Sequence, residues 1–60
     1  MNEVFQINIR NHFPTEKVVE ELVSLGYKAE EEYGISLARV FSNCPQDIAD
    51  RVVNKVAEGI

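Results

Sequence analysis

The chain holds one histidine, His12, and one cysteine, Cys44, so a thiolate nucleophile with an imidazole base has to be built from that pair. One of the ten acidic residues would then orient the imidazole. The other pattern with chemical content is the run Glu30-Glu31-Glu32, whose oxygens suit a hard cation. A phosphate-cradling glycine loop, a Gly-x-Ser-x-Gly elbow and paired zinc-binding histidines are absent from the sequence. A single cysteine excludes an intrachain disulfide and a multi-cysteine zinc site, and it fits a reducing compartment. Whether the two patterns can act depends on the elements that carry them.

From Val4 to Arg10 apolar and polar residues alternate, which predicts a half-buried strand with Phe5, Ile7 and Ile9 on one face and Gln6, Asn8 and Arg10 on the other. Pro14 stops the strand, and Thr15 reads as the N-cap of a helix in which Val18, Val19, Leu22 and Val23 recur at helical spacing. Gly26 suits the left-handed position past its end. Tyr27 to Glu32 and Ile35 to Phe41 read as a hairpin turning at Gly34; the competing reading lets the glutamates extend the first helix. Pro45 belongs in the first turn of a last helix capped by Cys44 or Asn43, with Ile48, Val52, Val53 and Val56 as its apolar stripe.

Strand, helix, strand, strand, helix is an α+β order. The right-handed crossover rule makes it a two-layer βαββα sandwich, residues 1–60 forming one small domain: antiparallel sheet order 1-3-2, both helices on one face. This is the ferredoxin-like plan without its fourth strand. Val18 to Tyr27 (VVEELVSLGY) resembles the first helix and second strand of small ferredoxin-like modules such as heavy-metal-binding and amino-acid-sensing domains. The heavy-metal modules carry Cys-x-x-Cys before that helix, where this chain has His12-Phe13-Pro14-Thr15, so the resemblance implies no metal function.

On that plan His12 follows the first strand and Cys44 the third. The strands being antiparallel, the two residues fall at opposite ends of the sheet, on the order of 20 Å apart. Consecutive glutamates on a strand point to alternate faces and cannot converge on one ion. The expectation is therefore no catalytic, cofactor or metal site and no enzyme. The core is expected to comprise Phe5, Ile7, Ile9, Val18, Val19, Leu22, Val23, Ile48, Val52, Val53 and Val56, with Ile35 and Leu37 beneath them.

Ten acidic against six basic residues give a net charge of −4, which opposes binding to a phosphate backbone. No apolar run approaches the roughly 20 residues of a membrane helix, and Met1-Asn2-Glu3 does not open a signal peptide, so a soluble cytoplasmic protein is expected. What remains is a small acidic protein-interaction module, a regulator, inhibitor or adaptor of bacterial or phage type, acting on a larger protein. The alternative is a binder of a ligand or single-stranded nucleic acid through the open sheet face, on which Arg39 and Phe41 share a parity. The first strand would offer an unpaired edge, at Val4, Gln6, Asn8 and Arg10, either to a second copy in a homodimer or to a different protein.

Overall fold

The computed structural model describes residues 1–60. Strand β1 (Asn2–Asn8) leads through a 3-10 turn at Ile9–Asn11 to helix α1 (Thr15–Ser24); strands β2 (Ala29–Tyr33) and β3 (Leu37–Ser42) then precede helix α2 (Gln46–Glu58). The sheet has the order β1-β3-β2, antiparallel throughout, the βαββα arrangement expected from the sequence. The glutamate run lies in β2 and does not extend α1. Gly26, at φ 95°, ends α1 in a left-handed conformation that a side chain would strain, and the Tyr27 N–H bonds back to the Leu22 carbonyl.

Both helices cover the same sheet face. The buried cluster consists of Val4 and Val40 from the sheet, Val18 and Leu22 from α1, Ala49 and Val52 from α2, and Cys44 from the link before α2. Phe5 packs on this cluster and is covered by Phe13, with ring centroids 5.3 Å apart. Between Glu3 and Phe5 the register against β3 slips by one residue, so that Val4 is an extra residue in the strand. Val4 and Phe5 thereby face the helices together.

Ser42 is fully buried at the end of β3, and its hydroxyl is satisfied twice: Oγ donates to the Lys28 carbonyl at 2.6 Å and accepts from the Cys44 N–H at 3.1 Å. Asn43 Oδ1 accepts from the Lys28 N–H. Together they tie the chain entering β2 to the chain leaving β3.

Several sequence expectations are corrected. Ile9 is exposed because Asn8 Oδ1 accepts from the Arg10 N–H and turns the chain out of the strand. Val23 is 52% exposed, since it lies about 100° round α1 from the buried Leu22. Ile35 sits in the hairpin turn, fully exposed, and Leu37 lies on the face away from the helices; Ala38 and Val40 are the core residues of β3. Their small side chains let the helices approach closely, as does the buried Ala49 of α2. Thr15 does not cap α1: Pro14 holds the cap position without a side-chain bond. Neither Cys44 nor Asn43 caps α2, whose cap position is Pro45; Cys44 is a core side chain, where serine would bury a hydroxyl.

Val52→Ala should lower the unfolding free energy by about 1–3 kcal/mol, because it opens a gap against the sheet. Ile35→Ala should change it by less than about 0.5 kcal/mol. Urea titrations followed by circular dichroism check both; equal losses would show that the assigned core is wrong.

Candidate interaction surface

Cross-strand partners share a face, so the register defines what the sheet presents on its far side. Leu37, Arg39 and Phe41 of the central strand form its midline, with Glu3, Gln6 and Asn8 of β1 along one flank and Glu30 and Glu32 of β2 along the other. No layer of this chain covers them. Leu37, Arg39 and Phe41 are half-buried and the five flanking residues exposed. Glu3 and Glu30 stand on either side of Phe41, and Gln6 and Glu32 on either side of Arg39. Three carboxylates against one guanidinium leave the face with a net charge of −2.

Arg39 is held without being fully satisfied. Its Nε lies 3.5 Å from Glu3 Oε1, an ion-pair separation, with both side chains 39% exposed. That nitrogen is nevertheless shielded from solvent and has no hydrogen-bond acceptor. The attraction to Glu3 therefore acts without a well-formed hydrogen bond at Nε, and it adds little to stability.

The free edge of β1 is shorter than the sequence suggests. The Ile9 N–H bonds to the Ser36 carbonyl at 2.9 Å, and alternation along an antiparallel ladder then turns the N–H and C=O groups of Ile7 and Phe5 toward β3 and those of Gln6 and Asn8 outward. The Val4 carbonyl is taken by Gln46 Nε2 at 2.8 Å. Of the residues assigned to this edge, Val4 is therefore in the core with a capped carbonyl, Gln6 and Asn8 offer outward backbone groups, and Arg10 lies beyond the strand in the 3-10 turn. Sequence reasoning missed Glu3, Glu30, Glu32 and Leu37 as members of the surface. The adjacent apolar pair Val4-Phe5, which breaks strict alternation, is the signal from which the bulge and the turning of Glu3 can be read.

His12 and Cys44 are not brought together. Cys44 precedes α2, whereas His12 lines a groove with Gly59 and Ile60 beyond its other end; a helix of 13 residues spans about 20 Å. The groove encloses about 420 Å³ between α1 and the end of α2, and its charges are matched, Lys55 bonding to Glu21 across the helices. Glu31 diverges from Glu30 and Glu32 toward the helix side. There its Oε2 accepts from Tyr33 OH at 2.8 Å and Thr15 Oγ1 at 3.1 Å, a link between β2 and the start of α1. No three His, Cys, Asp or Glu side chains converge as metal ligands, and no helix is long and apolar enough to cross a membrane. No known protein family, curated protein or solved structure matches this chain.

Arg39→Met should leave stability within about 0.5 kcal/mol of the parent, because an exposed ion pair is worth little and the unpaired donor disappears with it. A loss above about 2 kcal/mol in urea titration would show that Arg39 is a structural tie.

Proposed function

We propose that this chain is a small protein-interaction module, a regulator, inhibitor or adaptor that acts in the cytoplasm by occupying a surface of a larger protein and performs no catalysis of its own. The observation that carries the reading is the sheet face left without a covering layer: two apolar side chains, Leu37 and Phe41, stand half-exposed on the central strand inside a frame of carboxylates. A half-buried apolar midline with a charged rim is the anatomy of a contact surface, the midline excluding water and the rim selecting the partner. The net negative charge of the face weighs against nucleic acid, for which one arginine and one aromatic among three glutamates is a poor platform. The free thiol of Cys44, in the core, supports a reducing compartment.

A second element of the proposal is a homodimer through β1. Gln6 and Asn8 turn unpaired backbone groups outward, and two such edges meeting antiparallel about a two-fold axis normal to the sheet would form six continuous strands. The two uncovered faces would then lie side by side. A small domain benefits from joining its core to a second one in this way.

Immobilised protein should retain a stoichiometric protein from lysate at about 150 mM salt, near physiological ionic strength. Phe41→Ala should abolish that retention and Ile35→Ala should not; recovery of nucleic acid alone would overturn the interaction reading. Light scattering tests the dimer separately: at about 100 µM a mass of 6.8 kDa, that of one chain, rejects it. Proline at Gln6 removes an outward donor and leaves the β1–β3 ladder intact, so a folded Gln6→Pro variant should be monomeric.

A further inference from the structure

We infer that the uncovered sheet face receives a basic amphipathic helix of a partner protein, lying along β3 with apolar anchors over Leu37 and Phe41 and with Lys or Arg side chains reaching Glu30 and Glu32 on the β2 flank. This deepens the interaction reading and rests on it. The charges argue first. The frame carries three carboxylates and its single cation is already beside Glu3, so the unmatched charge is that of Glu30 and Glu32, and a complementary surface must be positive on the β2 flank. A second copy of this chain, face to face, would set net −2 against net −2.

The kind of element follows from the backbone. Leu37, Arg39 and Phe41 lie on the central strand, whose N–H and C=O groups are engaged on both sides, so this face offers no ladder for an added strand. A helix or a second sheet can cover a sheet face, and the opposite face of this one already carries two helices, which favours a helix here. Leu37 and Phe41 are about 13 Å apart along the strand, at about 3.3 Å per residue. Apolar residues seven or eight positions apart on a helix are separated by about 10.5–12 Å and can cover both. Arg39 lies between these anchors on β3, with its guanidinium beside Glu3.

The test is selection of a display library of helix-forming peptides, about 18 residues long and randomised on one face, against the full chain at about 150 mM salt. Enriched peptides should carry Lys or Arg along one flank of an apolar stripe and become helical on binding. In NMR titration they should shift the amides of Leu37, Arg39 and Phe41 more than those of Asn54 and Glu58, at exposed positions of α2. Affinity should fall about tenfold or more in Phe41→Ala and in the double variant Glu30→Lys, Glu32→Lys, and remain unchanged in Asn54→Ala, at an exposed position of α2. Because the NMR map uses the unaltered chain, a variant that unfolds does not remove the test. Acidic winners, equal binding to the double variant, shifts confined to the β1 edge, or recovery of no binder would each overturn the basic-helix inference. Binders mapping to the edge would do so while leaving the interaction reading in place, and that reading is judged independently by capture from lysate.

Discussion

The extra residue at Val4 governs the rest of the molecule. Without it, strict alternation would put Glu3 on the same side as Phe5, under the helices, where an unpaired carboxylate costs several kcal/mol. With it, Val4 and Phe5 both enter the core and Glu3 turns to the far face beside Phe41 and Arg39. The bulge is secured by Gln46, whose Nε2 donates to the Val4 carbonyl and to Asp50 Oδ1. A single side chain thus registers the start of α2 against the start of β1. Which charges frame the open face is a consequence of that register.

The same arrangement explains how so short a chain makes a core at all. The buried apolar residues are valines, one leucine, two alanines and a cysteine, with no aromatic ring fully enclosed. Ala38, Val40 and Ser42 on β3 and Ala49 on α2 are small enough for the layers to close, and the larger Leu37 and Phe41 are left for the other side. Ser42 can afford burial only because both of its hydrogen-bonding directions are used. One helical layer suffices to bury one face of three strands. The second face is outside its reach.

Element order and sheet order were legible because they rest on coarse signals: helical spacing of valines and leucines in two segments, proline and glycine punctuation, and the handedness of a crossover. The face of β3 was not legible. Ile35-Ser36-Leu37-Ala38-Arg39-Val40-Phe41 alternates perfectly well with either parity inside, and hydrophobicity favours Leu37 and Phe41, whereas the close approach of α1 and α2 favours Ala38 and Val40. That contest is decided by packing between layers, which one strand's pattern does not contain. Arg39 shares the parity of Leu37 and Phe41 and costs much to bury, which was the one available hint. The ends of α1 and α2 failed for a related reason: the polar residues suited to capping were drawn into ties across the structure, Thr15 to Glu31 and Asn43 to Lys28.

The strand order β1-β3-β2 also makes the two strand pairings unequal in the length of chain they enclose. The β2–β3 hairpin closes over Gly34-Ile35-Ser36 alone, a short loop with little entropy to lose. β1 must instead find β3 across a span that includes all of α1 and β2, and its bulge is secured only once Gln46 has been added to the chain. Until β3 is present β1 has no strand to pair with, and enclosing the long loop between them costs more chain entropy than closing the hairpin that β1 joins.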